Sequence, residues 1–327
     1  TDNVTTIYAS DVDENITIDL DNVTKIKSPH WANYLLGVIY RLKENGFRIK
    51  PFKCLFGGNI PVGSGLSSSA ALECGFVYAL NTLNNFGISP RDMIFIAQWS
   101  EHHYAGVMCG IMDQFSSMMG KEDQVFVLDC RSLTHTYFPL QLHDYELVLF
   151  DTNVKHSLAG SEYNIRRSEC EEGVEILRRY YPSIRNLRDV SPAMVKEHEA
   201  AMPSKVFNRC LYVAAEIERV QSAGDDLANG DLHAFGAKMY ETHEGLSVLY
   251  EVSCPELDFL VDATRNNPDV LGARMMGGGF GGCTINIVRT SIVKSLEQEV
   301  REKYRQKFGI ELKVYEVKIK NGVSQIK

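Results

Sequence analysis

The sequence has no paired cysteine motif, no long apolar run and no excess of positive charge. Its eight cysteines are scattered without a C-x-x-C pair, which argues against a zinc ribbon and against a disulfide framework. No apolar stretch approaches the length of a membrane span. The net charge of −8 argues against a general nucleic-acid surface and against binding to acidic membranes. We therefore predict a soluble cytoplasmic protein with reduced thiols and no nucleic-acid or membrane partner.

The most informative segment, PVGSGLSSSAA at residues 61–71, lacks the marks of two common phosphate-binding motifs. No lysine follows Gly65, as a Walker A loop requires, and Ser68 occupies the third glycine position of a Rossmann fingerprint. Two glycines and three consecutive serines nevertheless precede a helical apolar pattern. Backbone N–H groups at such a helix start bind anions, so the segment predicts a phosphate cradle. The alternative is a glycine-rich turn with a serine N-cap, which needs no ligand.

Hydrophobic periodicity predicts a mixed α+β protein, with one domain at residues 1–142 and a second at residues 143–327. The spacing predicts helices at residues 29–43, 67–84, 90–105, 114–119, 161–181, 205–223, 231–250 and 291–308. It predicts strands within residues 4–20 and at residues 52–56, 125–130, 147–151, 272–276, 284–288 and 311–319. In the second helix, Leu80 and Leu83 are expected to face inward.

Two acidic residues are candidates for chemistry, and each has a simpler alternative. Asp113 stands between Met112 and Gln114, and a carboxylate in apolar surroundings suits a general base because burial tunes its pKa. Its alternative role is an N-cap on the following short helix. Glu101 lies late in a helix, where it would suit Mg²⁺ together with a serine hydroxyl. Its alternative is an ordinary glutamate on a helix surface.

Two further segments are less specific. Tyr163, Arg166 and Arg167 lie on a strongly charged predicted helix, which is most simply a solvated face with pairs such as Glu162–Arg166. Residues 277–282 contain five glycines between two apolar strands, far more than a plain hairpin needs. We therefore expect a close backbone approach there, either to a ligand or to another loop.

Four segments together carry a family resemblance. PVGSGLSSSAA, GIMDQFSSMMG followed by VFVLDCRSL, VKHSLAGSEYNIRRSECEEG and GARMMGGGFGGCTINIV resemble the galactokinases, which are members of the GHMP small-molecule kinase family. The resemblance runs in the same order from about Trp31 to the end of the chain. The serine loop alone fits the wider GHMP family, whereas GIMDQ with DCRSL and HSLAGSEYN is far more specific to galactokinases.

The resemblance implies a two-domain α+β GHMP kinase fold with the active site in the cleft between the domains. It implies that Asp113 is the catalytic carboxylate, that Mg²⁺ is held by Ser69 and Glu101, and that Gly110, Asp113 and Tyr163 contact the sugar. It also implies an ATP-binding loop made of Gly63, Ser64, Gly65, Leu66, Ser67, Ser68 and Ser69.

The implied reaction is ATP-dependent phosphorylation of α-D-galactose at the C1 hydroxyl, giving galactose 1-phosphate, by a cytoplasmic monomer. Two alternatives remain open at this point. One is another GHMP sugar kinase that acts on N-acetylgalactosamine or arabinose. The other is a non-catalytic sensor of galactose and ATP, for which a damaged serine loop is expected; here that loop is intact.

Two departures from the family pattern are evident. The family's opening motif, G-R-x-N-L-I-G-E-H-T-D-Y, which supplies an arginine near the phosphoryl group and sugar-binding side chains, does not occur in the sequence. A molecule that truly began at Thr1 is expected to have little activity. The second departure is Met276, which stands where the family usually has threonine, and we expect its effect to be small.

Overall fold

The computed structural model describes residues 4–61, 65–155 and 159–326, with the backbone alone for residues 155, 159–161 and 163. The strands in these ranges are β1 (Thr5–Ala9), β2 (Glu14–Ile18), β3 (Lys53–Phe56), β4 (Gln124–Leu128), β5 (His135–Pro139), β6 (Tyr145–Lys155), β7 (Val270–Met275), β8 (Gly281–Arg289) and β9 (Lys313–Val317). The α-helices are α1 (Ala32–Glu44), α2 (Ser68–Asn84), α3 (Pro90–Ser100), α4 (Met112–Met119), α5 (Ala159–Arg178), α6 (Pro192–Glu197), α7 (Ser204–Ala228), α8 (Leu232–Glu244), α9 (Pro255–Arg265) and α10 (Val293–Phe308).

The first half of the chain packs helices α1 to α4 against a sheet with the order β2-β1-β3. β1 pairs antiparallel with β2 and parallel with β3. The apolar spacing of α1 places Leu35 and Ile39 in the core without exposure. Gly46 follows the end of α1 with a φ of +85°, which suits glycine, and the next N–H, from Phe47, closes the helix by donating to the Leu42 carbonyl at 3.0 Å.

Helix α2 begins within one residue of its predicted start and ends at the predicted residue. Val77 and Leu80 are buried, as its spacing predicts, but Leu83 is 71% exposed. The prediction for Leu83 was wrong because the last turn of α2 extends beyond the core before Asn85, at φ +54°, ends the helix.

Helix α3 starts as predicted, with Ser89 accepting a hydrogen bond from the Asp92 N–H and proline in the first turn. Its continuation over Glu101–Ala105 is a π-helical turn. Such turns are rare and often occur at functional sites, because the extra residue turns the following side chains to a new direction. Here the π turn begins at Glu101, one of the predicted metal ligands.

The second half of the chain is organised by the antiparallel sheet β7-β8-β6-β9. Phe150 and Val288 are fully buried in it, and Tyr304 of α10 packs against them. Helix α8 packs on β7, and α9 lies against β7 and β8. α9, β5 and α6 were not predicted, although Pro255 at the first helical position and two acidic residues in the first turn signal α9.

The C-terminal segment returns to the first half of the molecule and docks on α4. The Gly322 N–H donates to the Gly120 carbonyl at 2.8 Å, and the Val323 N–H donates to the Ser117 carbonyl at 2.9 Å. Val323 also packs against the first core. Residues 322–323 therefore bind to the C-terminal end of the helix that carries Asp113.

All eight cysteines are free thiols. Across the described ranges, every helix is too short or too polar to cross a bilayer.

Candidate active site

The N-terminus of α2 has the features of an anion cradle. Ser67, at φ +50°, is the N-cap, but its side chain makes no capping hydrogen bond, and the first turn contains no acidic residue. The first backbone N–H groups of the helix therefore keep their partial positive charge available to a ligand. Gly65 precedes them at φ +79°. Of the predicted loop residues, Gly63 and Ser64 lie outside the described residues.

The two predicted metal ligands are in contact. The hydroxyl of Ser69 donates to Oε1 of Glu101 at 3.0 Å, and Glu101 is only 6% exposed. The alternative of a surface glutamate is therefore wrong. Both groups are hard oxygen donors of the kind Mg²⁺ prefers, and Mg²⁺ usually takes its remaining ligands from phosphates and water. Within the described ranges, no group of three His, Cys, Asp or Glu side chains could hold a metal ion. A metal at Ser69 and Glu101 would therefore need phosphate or water as further ligands.

Gln114 connects this pair to the other acidic candidate. Its side-chain N–H donates to Oε2 of Glu101 at 2.6 Å, and Gln114 is fully buried. Both oxygens of Glu101 are thus engaged, one by Ser69 and one by Gln114. Asp113 is the chain neighbour of Gln114, so the helix that carries the predicted catalytic residue contacts the predicted metal ligand Glu101.

Asp113 is not a helix cap. It is the second residue of α4, after the N-cap Ile111, and that N-cap has no side-chain hydrogen bond. The Asp113 side chain is half-buried and has no hydrogen-bond or ion-pair partner among the described residues. The side chain is therefore free to contact a ligand, as a base or an orienting group requires.

The sequence analysis missed Glu73, which lies directly beneath this cluster. Glu73 has no exposure, and its carboxyl oxygens have no hydrogen-bond partner among the described residues. Burial, and then the negative charge of Glu101, raise the pKa of Glu73 to about 10. Burial and Glu101 also raise the pKa of the Cys109 thiol to about 12. A signal was present in the sequence, because Glu73 follows Ser69 by four residues and so shares its helix face.

The second glycine run approaches other loops closely, as predicted. A Cβ atom on Gly279 would lie 2.0 Å from the Val252 carbonyl oxygen, which leaves no room for a side chain. A Cβ atom on Gly277 would lie 3.6 Å from the Cα of Gly65. The glycine-rich loop, residues 276–281, therefore rests on Val252 and reaches the phosphate-cradle segment.

The predicted sugar contacts are only partly described. A Cβ atom on Gly110 would meet nothing within 4 Å, so this residue borders open space next to Asp113. Tyr163 lies in the first turns of α5, and its side chain is outside the described residues. On the same helix Arg167 is exposed and pairs with Glu171, as a solvated face predicts. Arg166 does pair with Glu162 but is 7% exposed, so for Arg166 the solvated face was wrong.

A cavity of about 630 Å³ lies elsewhere, between α1 and α3, and contains none of the predicted site residues. Trp99 and Phe95 line it together with His102 and Arg41. The polar groups are already engaged, because Arg41 pairs with Glu44 and His102 hydrogen-bonds the Cys109 carbonyl. We therefore assign the site to the cluster at the start of α2 and not to this cavity.

Comparison with known proteins identifies the family. Residues 33–121 match the model of the GHMP kinases N terminal domain, and residues 225–306 match that of the GHMP kinases C terminal domain. A galactokinase of Thermotoga maritima is 39% identical over 312 residues, which are 95% of this chain and 86% of that protein. This chain belongs to the galactokinase family.

Solved structures support the same family assignment. The crystal structure of Lactococcus lactis galactokinase complexed with galactose has a TM-score of 0.94 to this chain at 32% identity, and covers 99% of this chain and 84% of that one. A mevalonate kinase from Methanococcus jannaschii, with a TM-score of 0.63 at 18% identity over 98% of this chain and 86% of that one, shares the fold. The predicted resemblance and the predicted α+β GHMP kinase fold are therefore confirmed for this chain.

Proposed function

We propose that this chain transfers the terminal phosphoryl group of ATP to the C1 hydroxyl of α-D-galactose. The observation that carries the proposal is the contact of Ser69, Glu101 and Gln114 at the start of α2, next to Asp113. A serine, a metal-binding carboxylate and a free carboxylate at an anion-binding helix start are what phosphoryl transfer needs, in a chain of the galactokinase family. Most of that catalysis is positioning and charge stabilisation.

ATP would bind with its phosphates at the loop made of Gly63, Ser64, Gly65, Leu66, Ser67, Ser68 and Ser69. The uncapped N–H groups of α2 and the positive φ of Gly65 support this role. The glycine-rich loop lies against the same segment and would limit its movement when the nucleotide binds.

Ser69 and Glu101 would hold Mg²⁺ through oxygen atoms, together with nucleotide phosphates and water. When bound, the ion would neutralise charge that develops on the transferred phosphoryl group. Gln114 keeps Glu101 oriented by donating to its second oxygen, and the first oxygen, which accepts the Ser69 hydroxyl, would bind the ion together with Ser69.

Asp113 would face the C1 hydroxyl and either accept its proton or orient it for attack. Its position in the first turn of α4 and its lack of a partner among the described residues support this role. Gly110 and Tyr163 would contribute to the sugar pocket, since Gly110 borders open space beside Asp113.

We also propose that the protein acts as a cytoplasmic monomer, with galactose and ATP as its partners. The net charge of −8 supports the absence of a nucleic-acid partner. The boundary between the two domains, after residue 142, stays a prediction.

The variant Asp113→Asn tests the mechanism. We expect kcat to fall at least about 100-fold, because general-base and orienting carboxylates contribute on that scale, whereas ATP affinity measured by calorimetry stays unchanged. The matched control is Asp123→Asn at an exposed turn with φ +55°, which should retain full activity. Near-normal turnover of Asp113→Asn would remove Asp113 from the mechanism.

A further inference from the structure

Arg166 is a buried arginine that fastens α5 to the chain segment after α8. Its Nε donates to the Tyr250 carbonyl at 2.9 Å, and its Nη2 donates to the Glu251 carbonyl at 3.1 Å. Arg166 is 7% exposed, so water does not compete strongly for these bonds. The planar guanidinium reaches two consecutive carbonyls at once, which a lysine ammonium cannot reproduce.

Arg209 of α7 holds the same segment from the other side. It has no exposure, and its Nε donates to Glu169 of α5 at 2.9 Å, while its Nη2 donates to the Glu251 carboxylate at 2.6 Å. It also donates to the Leu249 carbonyl. Two buried guanidinium groups thus connect residues 249–252 to α5 and α7. The carboxylates of Glu169 and Glu251 compensate the positive charge of Arg209.

Residues 249–252 in turn support the glycine-rich loop. The Val252 carbonyl accepts the Phe280 N–H at 2.8 Å, and Gly279 passes so close to this carbonyl that no side chain would fit. Glu251 adopts φ +53°, which is uncommon for a residue other than glycine and requires its surroundings to hold it. A shift of residues 249–252 would therefore move the glycine-rich loop.

The two ends of this chain of contacts lie at different parts of the proposed site. At one end, Tyr163 precedes Arg166 by three residues, one helical turn, on α5. At the other end, the glycine-rich loop reaches Gly65 at the phosphate cradle. Arg166, Arg209 and Val252 are buried, and a contiguous series of contacts of this kind can transmit a conformational preference between two sites.

We propose that Arg166 is a positioning residue that couples the sugar side of the site to the nucleotide side, so that galactose and ATP strengthen each other's binding. The inference rests on the proposed function, because it takes Tyr163 as a sugar contact and residues 63–69 as the nucleotide loop. Coupling of this kind is reciprocal: each ligand raises the affinity of the other by the same factor.

Calorimetry on the whole protein measures this factor. Galactose is titrated with and without a saturating non-hydrolysable ATP analogue and Mg²⁺, and the analogue is titrated with and without galactose. For the parent protein we expect each affinity to rise at least about fivefold when the other ligand is bound. In Arg166→Met the factor should fall close to one, although both ligands still bind. The matched control Arg167→Met, one residue along the same helix but exposed, should keep the parent factor.

A loss of stability alone would not change the coupling factor of the folded protein, so the factor separates positioning from a structural role. Arg166→Lys keeps the positive charge but loses the planar guanidinium that reaches two carbonyls, so its coupling factor should lie between those of the parent and Arg166→Met. If the methionine variant does not fold, the coupling factor of Arg166→Lys is the test. A folded Arg166 variant with the parent factor would overturn the inference. A coupling factor of one in the parent protein, with both ligands binding, would also overturn the inference but would be compatible with the proposed function. A parent protein that binds neither ligand would overturn the proposed function and this inference together.

Discussion

Glu101 is the residue on which the candidate site depends. One of its oxygens accepts the Ser69 hydroxyl at 3.0 Å and the other accepts the Gln114 N–H at 2.6 Å. These two hydrogen bonds satisfy both carboxyl oxygens of a side chain that is almost fully buried. Glu73 lies next to it, without a hydrogen-bond partner among the described residues and with a raised pKa. The two glutamates therefore differ in that Glu101 accepts two hydrogen bonds and Glu73 accepts none from the described residues.

Replacing Glu101 by glutamine should reduce turnover and weaken the dependence on Mg²⁺. The variant keeps the shape of the side chain but loses the negative charge, and we expect kcat/KM to fall at least about 100-fold. The measurement is the initial rate of ADP release over a range of Mg²⁺ concentrations. Glu302→Gln on the exposed face of α10 is the control and should behave like the parent. A Glu101→Gln enzyme with the parent Mg²⁺ dependence would contradict the metal assignment.

Glu73 should make the folded state less stable as the pH rises. Its pKa is raised on folding from 4.5 to about 10, so between these values the folded state holds a proton that the unfolded state has released. Stability from this group is complete below the unfolded pKa and is lost as the pH rises towards the folded pKa. The slope approaches about 1.4 kcal/mol per pH unit.

The test is Glu73→Gln, which cannot titrate at this position. Its free energy of unfolding in urea should fall less than that of the parent between about pH 6 and pH 9. Glu299→Gln, at a site with a side chain 54% exposed, should follow the parent curve. Parallel curves for Glu73→Gln and the parent would show that Glu73 is already ionised in the folded protein.

At the level of elements, the sequence predicts the positions of helices and strands better than it predicts the burial and contacts of their side chains. The period of α1 and the proline start of α3 are local signals, and both helices form where those signals lie. The π turn at Glu101–Ala105 has no local signal, since it depends on packing against α1. Arg166 is similar, because its helical pattern predicts solvent exposure and only the tertiary contacts with residues 250–251 bury it.

The docking of the C-terminal segment on α4 brings Gly322 against the backbone of the helix. A Cβ atom on Gly322 would lie 2.5 Å from the Met118 carbonyl oxygen, so Gly322→Ala should force the segment away from α4. We expect a loss of stability of about 1–3 kcal/mol and a lower kcat, because α4 carries Asp113.

Thermal unfolding and turnover check this expectation against Gly75→Ala in α2. A Cβ atom on Gly75 would meet nothing within 4 Å, so this control should gain about 0.5–1 kcal/mol from the better helix propensity of alanine. A Gly322→Ala variant as stable and as active as the parent would show that the docking of the tail has no influence on α4.

At the scale of the whole molecule, the two halves of the chain meet where the glycine-rich loop approaches Gly65. The sequence predicts a close approach by residues 277–282 but not its partner, because glycine content shows that space is short and not what occupies it. The roles of Asp113 and Glu101 were predicted from the family resemblance, because local sequence alone favours a cap for Asp113 and a surface position for Glu101. Only the fold brings Glu101 to Gln114, the chain neighbour of Asp113.

Identification of the product tests whether this chain phosphorylates galactose at C1. The purified protein is incubated with ATP, Mg²⁺ and one of galactose, N-acetylgalactosamine or arabinose, and the product is followed by phosphorus NMR together with ADP release. We expect galactose to be the preferred sugar, with the phosphate attached at C1 and one ADP formed for each sugar phosphate. Preferential phosphorylation of N-acetylgalactosamine or arabinose, or binding of galactose and ATP without any turnover, would contradict it.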